Sequence, residues 1–264
     1  IRRITAALLI SKNKSDFTTH LLPFNYALGV HGGINTVVNT FRNGTYKYIT
    51  HPQQENKRPT RALVSLDIRN MFNAVSRHKL REIIATDFPH LQPIADSLYA
   101  TTHYAKYKNL DGEWESIEVA EGFTQGCPFS PLFAGLVLTH ILRKINAELL
   151  LRAADRKRIG IYLDDENGGE PIIMAYVDDT NCLLPIEDVE FFLDQFKHYG
   201  EPLGAVMNTD KTRILTSTNG STTIPHHLAH NPELGTSLSN AIMKYSRNGD
   251  EMHEETNGLR ILGS

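Results

Sequence analysis

Residues 172–184 read IIMAYVDDTNCLL, in which two apolar runs flank a Tyr-Val-Asp-Asp tetrad. Short apolar runs on either side of such a break are typical of buried strands, and they predict strands over 171–177 and 180–184. These strands would form a tight hairpin with Asp178 and Asp179 at its tip. Adjacent carboxylates repel each other, and apolar surroundings raise that cost, so a bound cation would stabilise the pair. The pair alone is a weak signal, because a metal site also needs a third carboxylate from elsewhere in the chain.

A second tetrad, Tyr162-Leu163-Asp164-Asp165, precedes the first. A metal-binding carboxylate must be held rigidly near two cations that lie roughly 4 Å apart, and rigid placement needs support on both sides. Apolar residues precede this tetrad, but the polar segment 166–170 follows it. We therefore interpret Asp164 and Asp165 as part of an ordinary turn.

The composition is that of a soluble globular protein. The chain has 264 residues, of which 41% are hydrophobic and 22% are charged, enough for one large core or two modest lobes. Its longest apolar run, 131–138, is far too short to cross a bilayer. Cys127 and Cys182 lack metal-ligand spacing and are interpreted as free buried thiols in a reducing compartment. Because the chain has no initiator Met and no signal-peptide pattern, we expect it to be an excerpt of a longer protein.

The charge distribution gives a mixed indication of the protein's partners. The net charge of −3 counts mildly against a nucleic-acid binder, since such proteins are usually basic overall. Basic residues do cluster at 2–3, 57–61 and 152–158. Each cluster alone is interpreted as a solvated face, and its meaning depends on where the fold places it.

Hydrophobic spacing predicts an antiparallel sheet with helices. The clearest element is a long helix over 130–151, in which apolar residues recur every four positions, Ser130 can cap the first turn and Pro131 suits the first helical position. The other predicted elements are turns at 43–44, 51–52 and 58–59, a strand over 62–67, helical segments over 75–103 broken at Pro89 and Pro93, a hairpin over 104–119, a strand over 159–163, a helix over 187–199 and an edge strand over 206–216. Because helices and hairpins alternate without regular βαβ units, we predict an α+β fold.

A third acid ends the first predicted strand. Asp67 either caps the helix that follows or projects its carboxylate where the chain leaves the sheet. The backbone N–H groups of 68–72 could hold phosphate oxygens, and Phe72 is either a core aromatic or a flat floor beneath a sugar ring. Farther along, Gly126 helps to fix a sharp loop before the long helix. This loop leaves the Gln125 amide at the surface, where it can read a base or a backbone.

The order of these segments resembles the reverse transcriptase domain, most closely that of non-long-terminal-repeat retroelements and group II intron-like enzymes. The matching segments are 29–36 (template-side fingers), 66–72 (motif A), 125–131 (motif B), 176–179 (motif C), 204–212 (motif D) and, more weakly, 259–263 (start of the primer grip). Motifs A, B and C together are specific, and the resemblance covers nearly the whole chain.

The resemblance implies a right-hand polymerase palm, which is an antiparallel sheet backed by helices. Residues 1–60 would form partial fingers and residues 61–264 the palm, with 75–120 shared between palm and fingers. The thumb would be absent, and the missing fingers and thumb segments would belong to the parent protein.

The resemblance also implies a two-metal site. Asp67 and Asp178 would hold two Mg²⁺ ions, with Mn²⁺ as an alternative, and Asp179 would lie close by as a ligand or electrostatic partner. Lys211 would protonate the leaving pyrophosphate, although an exposed strand lysine is the other interpretation. Phe72 would pack where a ribose 2′-hydroxyl would sit and so favour deoxynucleotides.

The implied function is RNA-directed DNA synthesis by a retroelement enzyme. Its partners would be an RNA template, a DNA primer and dNTPs, without a membrane partner. The implied location is inside the cell, in the nucleus or cytoplasm. The implied nucleotide-binding residues are Ile68, Arg69, Asn70, Met71, Phe72, Gln125 and Gly126, the last two contacting the template base and the incoming nucleotide. Two alternatives stay open, namely a non-catalytic scaffold that binds nucleic acid or protein and an inactive remnant. Three converging acids favour the enzyme, because a scaffold has no physical need for them.

Overall fold

The computed structural model describes residues 2–50, 61–124, 126–160 and 169–215. Within these ranges the helices are α1 (Arg2–Lys12), α2 (Lys14–Leu21), α3 (Gly33–Thr45), α4 (Met71–Ala74), α5 (Arg77–Asp87), α6 (Gln92–Tyr99), α7 (Phe129–Arg158) and α8 (Val189–Gly200). The strands are β1 (Arg61–Leu66), β2 (His103–Lys108), β3 (Trp114–Val119), β4 (Ile172–Tyr176), β5 (Asp179–Pro185) and β6 (Arg213–Leu215). A π-helical turn at Tyr46–Thr50 follows α3, and 3₁₀ turns lie at Pro89–Leu91, Ile186–Asp188 and Glu201–Leu203.

Four of the strands form one antiparallel sheet in the order β4, β5, β1, β6. The central strands β1 and β5 pair along their full length, from Arg61 opposite Pro185 to Leu66 opposite Thr180. Strands β2 and β3 form a separate, largely exposed hairpin. The predicted α+β fold around an antiparallel sheet is thereby confirmed.

Both faces of this sheet are covered, each by its own hydrophobic cluster. Successive residues of a strand point to opposite faces, so Val64 and Leu184 enter the larger cluster with the helices α5 to α8. Their neighbours Leu63 and Leu183 enter a smaller cluster with α3. Because both faces are buried, the central strands read as unbroken apolar runs, which is why the sequence pattern located them.

Helix α3 corrects one sequence prediction. Asn43-Gly44 predicts a turn, but both residues lie inside the helix. Gly44 is buried, and a Cβ built on it would lie 2.6 Å from Leu183 Cδ2. The glycine therefore permits close approach between helix and sheet rather than a change of chain direction.

The long helix α7 confirms the predicted helix over 130–151 but begins at Phe129 and continues to Arg158. Ser130 is not its cap. The residue already lies within the first turn, so its hydroxyl donates to the carbonyl oxygen of Thr124 at 2.6 Å instead of accepting from a helix N–H group. Residues 159–160 follow the helix end, and the rest of the strand predicted over 159–163 lies outside the described residues.

The basic run at the end of α7 is only partly a solvated face. Arg158 is exposed, but Arg152 Nε lies 2.7 Å from Asp188 Oδ1 and Arg156 Nη2 lies 2.6 Å from Asp188 Oδ2. The Asp188 side chain is 0% exposed. This part of the cluster thus forms an ion-pair network around a buried carboxylate that ties α7 to the turn before α8.

Most of the other predicted elements are confirmed with shifted ends. The hairpin predicted over 104–119 is β2–β3, and the helix predicted over 187–199 is α8 after a 3₁₀ turn. Pro93 does not break a helix, because it lies in the first turn of α6, where a missing N–H is tolerated. The edge strand predicted over 206–216 is confirmed only for β6, since the preceding residues form a turn against the end of β1.

Two composition-based predictions can be checked in the described part of the chain. Cys127 and Cys182 are both free and buried, as predicted. No helix in the described ranges has the length and apolar character needed to span a membrane.

Candidate active site

The antiparallel register brings the three predicted acids to one end of the sheet. Leu66, the last residue of β1, lies opposite Thr180, so the next residue, Asp67, comes opposite Asp179 when the register is extended. Asp179 is the first residue of β5, and Asp178 lies in the turn just before it. The β1 end and the β4–β5 hairpin tip therefore meet at the same place.

The carboxyl groups of these residues influence one another electrostatically. Partial burial raises the pKa of Asp178, its own backbone N–H opposes that effect, and the charge of Asp67 raises the pKa further. Partial burial also raises the pKa of Asp179, to which the charges of Asp178 and Asp67 add. Carboxylates raise each other's pKa only at short range. The structure thus brings together the three residues that the sequence predicted.

The donor chemistry of this group fits a hard divalent cation. Carboxylate oxygens are the ligands that Mg²⁺ prefers, and a cation would relieve the repulsion that raises the pKa of Asp178 and Asp179. Among the described residues, however, no three His, Cys, Asp or Glu side chains form a group that could hold a metal ion by themselves.

Asn208 fixes the orientation of Asp67. Its Nδ2 donates to Asp67 Oδ2 at 2.7 Å, and its backbone N–H donates to the Asp67 carbonyl oxygen at 2.8 Å. Thr212 Oγ1 accepts a further hydrogen bond from the Asp67 N–H at 3.3 Å. Asp67 is therefore not the cap of α4, where Asn70 occupies the cap position without a side-chain hydrogen bond.

The turn that carries Asp178 has unusual backbone geometry. Val177 has a φ of +61°, in the left-handed region that β-branched residues rarely adopt. A non-glycine residue in a sparsely populated region costs on the order of 1–3 kcal/mol and persists only where its surroundings hold it. The tip of the hairpin is consequently strained and must be stabilised from outside.

The loop before α7 is pinned beneath α4. The N–H of Phe123 donates to the carbonyl oxygen of Phe72 at 2.6 Å. Gly122 has a φ of +75°, and a Cβ on it would lie 2.4 Å from the backbone of Asn73, so only glycine allows this approach. Phe72 itself is half-buried and packs against the larger cluster, with part of its side chain facing solvent. The packing agrees with the core-aromatic interpretation of Phe72, and the floor beneath a sugar ring stays a prediction.

Residues 30–263 match the family model described as reverse transcriptase (RNA-dependent DNA polymerase). The chain belongs to the reverse transcriptase family. The resemblance drawn from the motifs is confirmed by this match.

Known proteins similar to this domain include a retrotransposon protein. The Retrotransposable element SLACS 132 kDa protein of Trypanosoma brucei gambiense is 28% identical over 162 residues, which cover 60% of this chain and 12% of that protein. The match agrees with the predicted similarity to non-long-terminal-repeat retroelements. The chain spans a small part of this curated relative.

Solved structures similar to this domain include telomerases. Apo telomerase from Candida tropicalis has a TM-score of 0.56 at 15% identity, with 84% of this chain and 36% of that chain covered. Telomerase from the same organism in complex with a TWJ fragment of telomeric RNA has a TM-score of 0.51 at 16% identity, with 84% and 34% covered. At these identities the likeness shows the fold alone, which is the palm-like fold of reverse transcriptases, and the chain spans about a third of each telomerase chain.

The other predicted nucleotide-binding residues of the reverse transcriptase domain have mixed environments. Ile68 and Met71 are buried, whereas Arg69 and Asn70 are exposed in the segment just before α4. The backbone N–H of Arg69 donates to the carbonyl oxygen of Val206 at 2.8 Å. That N–H group is therefore already bonded within the protein, while the Arg69 side chain faces solvent.

Two predicted residues lie on surface turns. Gly126 is exposed with a φ of +76°, a conformation that favours glycine. Lys211 is exposed in the turn before β6, and its N–H donates to the carbonyl oxygen of Asn208 at 3.2 Å. The backbone of Lys211 is thus tied to the residue that orients Asp67, while its amine is free to move on a flexible stem.

Several sequence predictions lie outside the described residues and stay predictions. They are the turns at 51–52 and 58–59, the Gln125 amide, the turn assigned to Asp164 and Asp165, and the primer-grip similarity at 259–263.

Arg77 secures the loop before α7, a role that no sequence pattern indicated. The residue is 6% exposed, its Nε donates to the carbonyl oxygen of Gly122 at 2.7 Å, and its guanidinium lies 5.1 Å from the ring centroid of Tyr99. Its backbone N–H donates to Glu121 Oε2 at 2.9 Å. A basic residue at the start of a helix offers no sequence signal for such a role, because its partners are mostly backbone carbonyls.

Proposed function

We propose that this domain catalyses RNA-directed DNA synthesis, transferring a nucleotide from a dNTP to the 3′-hydroxyl of a DNA primer on an RNA template. The observation that carries the proposal is the meeting of Asp67 with the Asp178–Asp179 tip in a chain of the reverse transcriptase family. A retroelement is the proposed setting, supported by the similarity to the SLACS protein.

In this proposal Asp67 and Asp178 would hold two Mg²⁺ ions, or Mn²⁺ ions in their place, and Asp179 would act as a further ligand or as an electrostatic partner. The ions would activate the primer hydroxyl and neutralise charge on the departing pyrophosphate. Asn208 keeps the Asp67 carboxylate in one orientation by its 2.7 Å hydrogen bond. The backbone of Val177 is strained, so the hairpin tip keeps its geometry only because the surrounding contacts hold it.

The primer 3′-hydroxyl loses its proton to solvent water as the new bond forms between the 3′-oxygen and the α-phosphorus, and the bond from that phosphorus to the pyrophosphate oxygen breaks. Lys211 donates a proton to that leaving oxygen, for which its exposed and flexible side chain is suited. Phe72 packs against the sugar of the incoming nucleotide and excludes a 2′-hydroxyl. Gln125 and Gly126 contact the template base and the nucleotide, together with the turn at 68–71.

The proposed organisation follows the sequence prediction, with partial fingers over 1–60, a palm over 61–264 and the region 75–120 shared between them. The proposed location is inside the cell, in the nucleus or cytoplasm, which is supported by two free buried cysteines.

Primer extension on an RNA template with dNTPs and Mg²⁺ tests this function. The assay compares this chain and the full-length natural protein, each with an Asp178→Asn variant and, as a matched control, an Asp164→Asn variant. We expect synthesis that survives Asp164→Asn and disappears with Asp178→Asn. Synthesis that survives Asp178→Asn but not Asp164→Asn would reverse the assignment of the two tetrads.

A second candidate is a non-catalytic scaffold that binds nucleic acid. It is favoured by one observation, namely that the described acids are not grouped as a ready-made metal site. Absence of extension by every folded form, with template binding retained, would select the scaffold over the polymerase.

A further inference from the structure

A short segment covers the outer edge of the sheet beside the proposed active site. Strand β4 is the edge strand, and residues 24–26 run parallel to it through a bridge between Asn25 and Ala175. The Ala175 N–H donates to the carbonyl oxygen of Phe24 at 2.6 Å, and the Tyr26 N–H donates to the carbonyl oxygen of Ala175 at 2.9 Å. The segment thus extends the sheet by one very short strand.

The side chain of Asn25 adds a hydrogen bond to this ladder, beyond the last backbone hydrogen bond at Ala175. Carbonyl groups of alternate residues in a strand face the same edge, so the carbonyl of Val177 follows that of Ala175. Asn25 Nδ2 donates to the Val177 carbonyl oxygen at 2.9 Å, and Asn25 Oδ1 accepts from the Ala27 N–H at 3.2 Å. The amide therefore takes the place of the next backbone donor, where the hairpin begins to turn.

The position of this hydrogen bond matters for Asp178. The carbonyl of Val177 belongs to the peptide unit that joins Val177 to Asp178, and a peptide unit is planar. A hydrogen bond to the carbonyl oxygen therefore also holds the nitrogen and Cα of Asp178, which lie in the same plane. The direction in which the Asp178 side chain leaves the backbone is restricted as a result. This is also the unit that follows the strained φ of +61° at Val177, which needs support from outside the hairpin.

The surroundings of Asn25 are shaped for an amide. The residue is 1% exposed, and a buried amide is tolerated only when its donors and acceptors are satisfied. Gly135 of α7 faces it, and a Cβ on that glycine would lie 3.4 Å from Asn25 Nδ2. That distance is an ordinary van der Waals contact, so α7 packs directly against the buried amide.

We propose that Asn25 is a positioning residue of the active site, whose buried amide holds the Val177–Asp178 peptide and thereby sets the Asp178 carboxylate for a divalent cation. The inference rests on the proposed function through the role of Asp178. Asn25 itself contacts neither substrate nor cation.

The test compares Asn25→Ala with Asn13→Ala in the full-length natural protein. Asn13 Nδ2 donates to the Leu9 carbonyl oxygen at 2.8 Å on α1, so the control loses the same kind of hydrogen bond away from the hairpin. Mn²⁺ binding is measured by electron paramagnetic resonance without substrate, and steady-state primer extension gives kcat, the KM for dNTP and the template–primer Kd. For Asn25→Ala we expect the Mn²⁺ Kd to rise about tenfold or more and kcat to fall, with KM and template–primer Kd unchanged. Asn13→Ala is expected to change none of these values.

Unchanged Mn²⁺ affinity and kcat in folded Asn25→Ala would overturn the inference, as would equal losses in both variants or a loss confined to template–primer binding. If Asn25→Ala does not fold, Asn25→Ser replaces it, because its hydroxyl keeps an acceptor near Ala27 but is too short for the Val177 carbonyl. Failure of the proposed function is separable, since it would appear as no extension by the unmodified protein, whereas Mn²⁺ binding requires no synthesis.

Discussion

Replacing Asn208 by alanine should slow nucleotide addition by releasing the Asp67 carboxylate. The Nδ2 to Oδ2 distance is 2.7 Å and Asn208 is only 9% exposed, so this hydrogen bond is largely protected from solvent. A hydrogen bond to a charged group contributes about 1.5–3 kcal/mol. Expressed fully in the transition state, that free energy corresponds to a rate lower by about 10- to 150-fold. The backbone bond from the Asn208 N–H to the Asp67 carbonyl at 2.8 Å survives the change, so the fold should be retained.

Single-turnover primer extension over a range of Mg²⁺ concentrations measures this effect. Asn208→Asp keeps the shape but places a like charge beside Asp67, so it should slow the reaction at least as much as alanine. Asn109→Ala is the matched control, because Asn109 Nδ2 donates to Glu115 Oε1 at the same 2.7 Å on the exposed hairpin. The reasoning is refuted if folded Asn208→Ala keeps the unmodified rate at every Mg²⁺ concentration, or if Asn109→Ala is equally slow.

Three further predictions concern sugar selection, packing and pH. Phe72→Ala should admit ribonucleotides, measured as the ratio of rNTP to dNTP incorporation, and an unchanged ratio would remove its proposed role. Asp188→Ala leaves two arginines without their buried partner and should lower the free energy of unfolding by about 3–5 kcal/mol in urea titrations, whereas exposed Asp155→Ala should change it by at most about 0.5 kcal/mol. Burial raises the pKa of Glu187 from 4.5 to about 7, so its contribution to stability is complete below pH 4.5 and is lost as the pH rises to 7. Glu187→Gln should therefore gain stability relative to the unmodified protein across that interval, reaching about 3 kcal/mol above pH 7, and parallel pH profiles would contradict the raised pKa.

The acids of the site could be predicted from the sequence because their signals are local. Asp178 and Asp179 lie between two apolar runs, and Asp67 follows another, so burial periodicity alone places each acid at the end of a strand. The residues that orient these acids carry no local signal. Asn25 and Asn208 contact residues that lie 152 and 141 positions away, and an amide in an irregular segment looks the same whether or not it has such a partner.

Tertiary contacts also overrode two local patterns. Asn43-Gly44 is a turn signal in isolation, yet Gly44 is helical because the sheet residue Leu183 needs the space that a side chain would fill. Arg152 and Arg156 belong to a charge run that resembles a solvated face, but Asp188 draws both of them inward. In each case the deciding partner is distant in the chain, which a window of neighbouring residues does not contain.

The placement of β1 in the sheet has a consequence for how the protein is made. β1 is central, but its partners come late, since Leu66 pairs with Thr180 more than a hundred residues farther along the chain. At a synthesis rate of about 5–20 residues per second, an apolar strand with both edges unpaired waits roughly 5 to 25 s for its neighbour. Unpaired apolar strands are templates for aggregation. The proposed active site is thus among the last features of the domain to form during translation, and a nascent chain stalled before β5 leaves β1 without either of its partner strands.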